Sequence, residues 1–364
     1  MSTRRNSIGA CVVLLIGGPT LDAASTPHGP EHGAAAHDFP SEWAASTRND
    51  LRRPVHTYSI VARDPETGQM GVAVQSHYFS VGPIVPWAEP GVGAVATQSL
   101  VRVSYGPNGL SLMRMGMSAR QALDSLIAVD DASDVRQVAM VDRQGRVAVH
   151  TGDKCIAAAG HETGEEFSVQ ANLMVDDSVV PAMKRGYETA TGDLADRLIA
   201  ALEAAQKAGG DIRGRQSAAL LIVSGERTDH PWEGRLFNLR VEDHPRPVVE
   251  LKRLVRLQRA YRYTDQGDEL VAEERFDEAM IAYAKAAELA PEIVELTFWQ
   301  AVTLFKVGRE SEALPLFRSV FAREPVWVDL VPRLTPLGLL PDDAAALERI
   351  TAQAPGRTPT RETD

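Results

Sequence analysis

The stretch "PVHTYSIVARDPETGQMGVAVQS", Pro54 to Ser76, decides how this chain reads. From Thr57 the sequence alternates through "TYSIVARD", breaks at "PETG" and alternates again through "QMGVAVQS". Two period-two runs around a Pro-containing turn that ends in Gly predict an antiparallel hairpin. Such a hairpin looks like the opening of a domain, yet it begins deep inside the chain. Thr57 is therefore either an ordinary strand residue or a residue destined to become the first one.

Downstream, "GVGAVATQS" (Gly91 to Ser99) predicts a third strand, rich in small residues that let another layer approach closely. "GPNGLSLMRMG" and "SARQALDSLIAVD" predict two helices, the second capped by Ser118. "VRQVAMVDRQGRVAVHTG" predicts a second hairpin that turns at Gln144 and Gly145, and "FSVQANLMV" a further strand. Residues 177–208 carry helical period with a break at Thr191 and Gly192. "RQSAALLIVSG" predicts a fully buried strand, and "LFNLRVEDHP" an edge strand closed by Pro245. Strands that come in antiparallel pairs and helices that come in blocks favour an α+β fold over a doubly wound parallel sheet.

From Pro247 the β signal ends. "VVELKRLVRLQRAYRY" predicts a basic amphipathic helix, read as a connecting helix with a solvated charged face. After it comes an internal repeat. "ERFDEAMIAYAKAAELAP" aligns with "GRESEALPLFRSVFAREP", pairing Ala279 with Ala313, Tyr283 with Phe317 and Pro291 with Pro325, each 34 residues apart. That is the period of tetratricopeptide helix pairs. The small Ala lets helices approach, the aromatic fills the groove, and Pro ends the second helix. About two repeats are too few to stand alone, so they should lean on the first domain.

The 364 residues carry a net charge of −11, which argues against nucleic acid as a partner, because phosphate binding needs a basic surface. Arg4, Arg5 and the apolar run Ile8 to Gly18, followed by "LDAAS", look like an export signal, and the expected location is periplasmic or secreted. No later segment is apolar enough to span a membrane. Removal of Cys11 with the signal leaves Cys155 alone, a small apolar residue with no disulfide partner. No HExxH, CxxC or P-loop is present, so no cofactor and no metal are expected.

The motifs "TYSIVARDPETGQMGVAVQS", "VGPIVPWAEPGVGAVATQS", "YGPNGLSLMRMG", "SVQANLM", "GGDIRGRQSAALLIV" and "DHPRPVVELKRLV" resemble, in this order, the bacterial domain-of-unknown-function 1028 family, from Thr57 to about Leu257. That family is similar in fold to the N-terminal nucleophile hydrolases, which stack two β-sheets between helical layers (αββα). The resemblance implies a fold and a candidate reaction class, with no settled substrate. With the residue patterns on either side, the chain divides into an export signal (1–25), a flexible linker (26–56), an αββα domain implied by the resemblance (57–246), a connecting helix (247–263), tetratricopeptide-like repeats (264–350) and a disordered tail (351–364).

In such hydrolases the first residue is Thr, Ser or Cys. Its side chain attacks an amide, and its free α-amine takes the proton. Family members often begin Met-Thr. Here Thr57 follows His56, so a second cleavage between them is required before an α-amine exists.

The remaining candidates follow from position. Asn172, at a strand end, is a candidate oxyanion donor, or else a turn residue. Asp211 and Arg213, at the mouth of a buried strand, are candidates to orient the site, or else a structural ion pair. Ser217 joins them at the start of that strand. Ser76, His77, Gln98 and Gln216 are candidate substrate contacts, since polar strand ends need partners. Ser76 and His77 are neighbours on a strand and point to opposite faces, so they do not form a dyad. His161, Glu162, Asp229 and His230 read as loop residues. The first expectation is an amide hydrolase acting on a small molecule or peptide. The rival is a catalytically silent scaffold whose repeats bind a partner protein or peptide. A homo-oligomer is compatible with either.

Overall fold

The hairpin forms as expected. The computed structural model describes residues 55–356, which fall within one compact unit. The export signal, the linker up to Pro54 and the tail from 357 lie outside the described residues. Strand β1 (Thr57–Arg63) runs antiparallel to β2 (Met70–Ser76), in register from Thr57 opposite Ser76 to Arg63 opposite Met70. The Asp64 carboxylate accepts from the Thr67 amide and hydroxyl, both at 2.8 Å, and Gly68 supplies the left-handed φ of +70° that closes the turn.

Eight further strands complete two antiparallel sheets. These are β3 (Pro86–Glu89), β4 (Gly93–Ser99), β5 (Arg136–Asp142), β6 (Val147–Thr151), β7 (Gly160–Gly164), β8 (Phe167–Ala171), β9 (Ser217–Val223) and β10 (Arg235–Val241). One sheet has the order β10-β9-β2-β1-β8-β7, the other β3-β4-β5-β6. β10 lies at an edge, as its closing Pro245 predicts. β7 corrects the reading of His161 and Glu162 as loop residues; they belong to an exposed edge strand with no apolar alternation to betray it. β3 is a four-residue strand opened by Pro86 and also escaped the periodicity.

The sheets face each other through small and β-branched side chains. Val61, Val72 and Val74 of one meet Ala94, Ala96, Ala139 and Val141 of the other. The outer face of the larger sheet, with Tyr58, Ile60, Ala73, Leu220 and Ile222, is covered by α3 (Val179–Thr189), α4 (Leu194–Lys207) and α5 (Pro247–Ala272). The outer face of the smaller sheet is covered by α1 (Tyr105–Arg114) and α2 (Ala119–Ile127). Each fully buried Leu or Ile in these layers contributes about 1.5–3 kcal/mol. The Ser118 hydroxyl accepts from the Gln121 amide and the Gln121 side chain accepts from the Ser118 amide, so α2 starts on a full capping box.

The C-terminal region is helical. α5 continues beyond residue 263 as one helix of 26 residues, about 39 Å long. Its cations are not a bare patch. Lys252 pairs with Glu203, Arg259 with Asp193 and Asp196, and Arg256 with Glu292. Exposed pairs of this kind contribute at most about 1 kcal/mol each. α6 (Phe276–Leu289), α7 (Val294–Lys306), α8 (Glu310–Arg323) and α9 (Ala344–Thr351) follow. Ala279 and Tyr283 of α6 and Ala313 and Phe317 of α8, the positions that repeat in sequence, are all buried. Gly267 in α5 meets the Tyr283 ring so closely that an added Cβ would lie 2.4 Å from it.

Candidate functional site

At one end of the larger sheet the inward-facing residues turn from apolar to polar. Ser217, Ser76 and Thr57 lie opposite one another across β9, β2 and β1. Asn172, the residue after β8, donates its amide to the Thr57 carbonyl at 3.1 Å and extends the row to a fourth strand. All four are buried. From the facing sheet come Gln98 of β4 and Gln137 of β5, opposite each other and also buried.

These side chains form a network whose amide orientations are fixed by their partners. Gln137 Nε2 donates to the Ala171 carbonyl at 2.9 Å and the Gly160 carbonyl at 3.2 Å, so its Oε1 is the acceptor end. That oxygen takes Gln98 Nε2 at 2.7 Å and Asn172 Nδ2 at 2.9 Å. Asn172 Oδ1 is therefore the free acceptor, and it meets His56 Nδ1 at 2.6 Å. The His56 proton sits on Nδ1. Burial holds the imidazole below its usual pKa, against a raising hydrogen bond from Asn172, so the ring is neutral near pH 7. Gln98 Oε1 accepts from Ser59 at 2.6 Å, and Ser59 in turn accepts from Gln170 Nε2 at 2.6 Å.

The two residues ahead of Thr57 are part of this site. Val55 and His56, at the end of the stretch read as a linker, are both buried. Val55 exchanges both backbone hydrogen bonds with Ser99, at 2.8 and 3.0 Å. The His56 carbonyl accepts from Ser76 Oγ at 2.5 Å and from Arg213 Nη2 at 2.9 Å. Thr57 Oγ1 donates to the Val55 carbonyl at 2.9 Å. The peptide bond between His56 and Thr57 thus has its oxygen held by two donors and a hydroxyl beside it.

Arg213 is aimed by Asp211. The buried carboxylate accepts from Arg213 Nε at 3.0 Å, Nη2 at 2.7 Å and the Arg213 amide at 2.9 Å, and from the His77 amide at 3.3 Å. The pair is an ion pair, and it holds the guanidinium against the His56 carbonyl. His77 itself is exposed, on the face away from Ser76. With Tyr78, Phe79, Arg213 and Gln216 it lines a cavity of about 460 Å³ beside the site.

Not every candidate is drawn in. Ser217 stands two strands from Thr57, on the order of 10 Å by strand spacing. Its hydroxyl donates to the Tyr78 carbonyl and accepts from the Val81 amide at 3.2 Å, which ties down the loop after β2. Gln98 contacts the Thr57 carbonyl at 3.3 Å and belongs to the network rather than to the open cavity. The Asn172 amide is committed to Gln137. Gln137, Gln170, Ser59 and His56 were missed from sequence. For Gln137, Gln170 and Ser59 the signal was a polar residue at an inward position of a strand, whereas His56 precedes β1 and carried none. Cys155 is half-buried, its thiol donates to the Arg136 carbonyl at 3.4 Å, and burial pushes its pKa up. Among the described residues no helix is long and apolar enough to cross a membrane.

Two solved structures align with part of this chain. A protein from Silicibacter pomeroyi, of the family model DUF1028, is 29% identical; the alignment covers 55% of this chain and 88% of that one, with a TM-score of 0.49. Anbu, the ancestral β-subunit from Yersinia bercovieri, is 13% identical over 54% of this chain and 91% of its own, with a TM-score of 0.29. No curated protein matches the chain. Residues 57–251, which include Thr57, Ser76, Asn172, Asp211 and Arg213, match the model of a family of unknown function, DUF1028. That match spans more than half of the 364 residues, and the chain belongs to the DUF1028 family.

Proposed function

We propose that this chain is the precursor of an exported amide hydrolase of the N-terminal nucleophile type, and that it cuts its own bond between His56 and Thr57. The observation that carries the reading is the His56 carbonyl, held by Ser76 Oγ at 2.5 Å and Arg213 Nη2 at 2.9 Å. Two donors on one carbonyl oxygen stabilise the negative charge that develops there when a nucleophile adds. The nucleophile is the neighbouring Thr57 hydroxyl. It adds to the His56 carbonyl carbon, and the π electrons move onto the held oxygen. Collapse breaks the bond from the His56 carbon to the Thr57 nitrogen, and the hydroxyl proton ends on that nitrogen. The His56 acyl group is left as an ester on Thr57 Oγ1. Water then hydrolyses the ester, giving a His56 carboxylate, a free Thr57 hydroxyl and a free α-amine.

The mature chain would use that amine, with a pKa near 8, as the base for the next amide. Ser76 and Arg213 would hold the oxyanion, Asp211 would aim Arg213, and Asn172 would hold the acyl side. The two facing sheets flanked by helices fit the αββα arrangement of this hydrolase class. The basic start and apolar run before Thr57 fit export to the periplasm or beyond. The substrate is an amide of a peptide, a small molecule or a cell-wall fragment.

A second reading rests on the helical region, which we take as tetratricopeptide-like. Val271, Phe276, Trp299, Val302 and Leu339 line a cavity of about 660 Å³ there. On that reading the sheets are a silent scaffold and the helices bind an envelope protein or peptide. Intact mass and N-terminal sequencing of the full chain, recovered from an exporting cell, separate the two. A mature chain that begins at Thr57, and a Thr57→Val chain in which His56 and Thr57 stay joined, support the hydrolase. A wild-type chain that keeps that bond overturns it and favours the scaffold.

A further inference from the structure

We infer that the acyl side of this site is built for an extended peptide whose last residue carries a neutral N–H donor and whose penultimate residue is aliphatic. The inference rests on the hydrolase reading and goes on to name the substrate class.

The argument starts from the requirement that any acyl carbonyl attacked by Thr57 Oγ1 use the same two oxyanion donors. It must therefore sit where the His56 carbonyl sits, and its side chain must enter the space that the His56 ring fills. That space is dry: His56 is 2% exposed. Among the described residues, the ring's one hydrogen bond is to Asn172 Oδ1, at 2.6 Å. Gln137 locks Asn172 in the orientation that presents oxygen. When residues 55 and 56 leave, this oxygen remains as a buried acceptor with no donor. An acyl group with a neutral N–H, such as the imidazole of His or the carboxamide of Asn, satisfies it. A carboxylate sets oxygen against oxygen, and an aliphatic side chain strands the acceptor. A cation loses its hydration in this buried space, the largest influence against charge on His56, and meets the Arg213 guanidinium, whose effect Asp211 offsets in part.

The residue before it is read the same way. Val55 is 1% exposed and belongs to the same apolar cluster as Val81, Val85 and Ala96. Its amide and carbonyl pair with Ser99, which stands in the left-handed region at φ 72°. Departure of Val55 leaves a backbone donor and acceptor on Ser99, ready to take an extended peptide in the same short antiparallel bridge. A small amide without a peptide backbone cannot use this pair. Peptides are therefore favoured over simple amides.

The test uses the full chain after its own maturation, with acetyl-Pro-Val-His, acetyl-Pro-Val-Asn, acetyl-Pro-Val-Leu and acetyl-Pro-Val-Asp as free acids for binding and as anilides for hydrolysis. The expected result is that the His and Asn peptides bind and turn over at least ten-fold better than Leu or Asp. Acetyl-His anilide, which lacks the pairing residue, should fall behind acetyl-Pro-Val-His anilide by a similar factor. Equal handling of His and Leu peptides by a matured chain that hydrolyses amides overturns this inference and leaves the hydrolase reading standing. Ranked binding of the acids without hydrolysis supports the acyl site and overturns the hydrolase. A chain that never exposes Thr57 overturns both.

Discussion

Replacing Gln137 by Leu removes the hub of the polar network and keeps side-chain volume nearly constant. Gln137 is fully buried in β5. Its oxygen accepts from Gln98 at 2.7 Å and Asn172 at 2.9 Å, and its nitrogen donates to Ala171, Thr151 and Gly160 at 2.9, 2.9 and 3.2 Å. Gln98 keeps two weaker acceptors, the Thr57 and Gln170 carbonyls at 3.3 and 3.4 Å. Asn172 Nδ2 keeps none. The buried Asn172 donor is stranded, at about 1–3 kcal/mol, and three acceptors each lose one partner. Leu recovers part of this by apolar burial, at about 25 cal/mol per Å². The net expectation is a loss of about 2–4 kcal/mol, a large share of the roughly 5–15 kcal/mol of a typical domain. Urea denaturation of the Thr57→Val chain, in which His56 stays attached, reads it directly. The midpoint should fall while the slope with urea stays unchanged. A loss below about 1 kcal/mol would mean that the network is not held as a unit, and the orientation assigned to Asn172 would fall with it.

Three other outcomes follow from the geometry. Ser76→Ala removes one of the two donors on the His56 carbonyl and should slow the cleavage before Thr57 by about a hundred-fold, followed by mass spectrometry over time. Burial lowers the folded-state pKa of His56, so below its unfolded value of about 6.5 the unfolded chain binds the extra proton. Stability should therefore fall as pH drops through about 6.5, with no contribution from this group above it, and His56→Asn in the Thr57→Val chain should flatten that acid-side loss in a denaturation series. Gly267→Ala places a Cβ 2.4 Å from the Tyr283 ring, so overpacking of about 1–3 kcal/mol should outweigh the roughly 1 kcal/mol gained in helix propensity, seen as a lower melting temperature.

Local chemistry made much of the fold legible. The hairpin at Thr57, the capped helix after Ser118, the break at Gly192 and the edge strand before Pro245 each depend on residues close in sequence. The strands that escaped, β3 and β7, are short or exposed, with no period to read. The site was legible by residue type and not by pairing. Thr57 was a candidate through the family resemblance, Asn172 as an amide at a strand end, Asp211 and Arg213 as opposite charges at a strand mouth, and Ser76 as a polar strand end in need of a partner. Which of them meet depends on register between strands more than a hundred residues apart. Thus Arg213 reaches His56 across 157 positions, whereas Ser217 is turned to the loop at Tyr78. His56 was read as linker because burial of a residue before a strand is a tertiary fact with no local mark.

The length of α5 has a consequence for how this protein tolerates change. The family match stops at residue 251, only five residues into a helix that runs to Ala272. The extra helices are attached by prolonging a helix that already belongs to the sheet domain, with no hinge between. A rigid graft of this kind transmits angular errors. One residue inserted into α5 would swing everything beyond it by about 100° and advance it by about 1.5 Å. The pairs from Arg259 to Asp193 and Asp196 would then point elsewhere. Length variation should therefore be absorbed in the turns between the later helices, and along α5 only substitutions should survive.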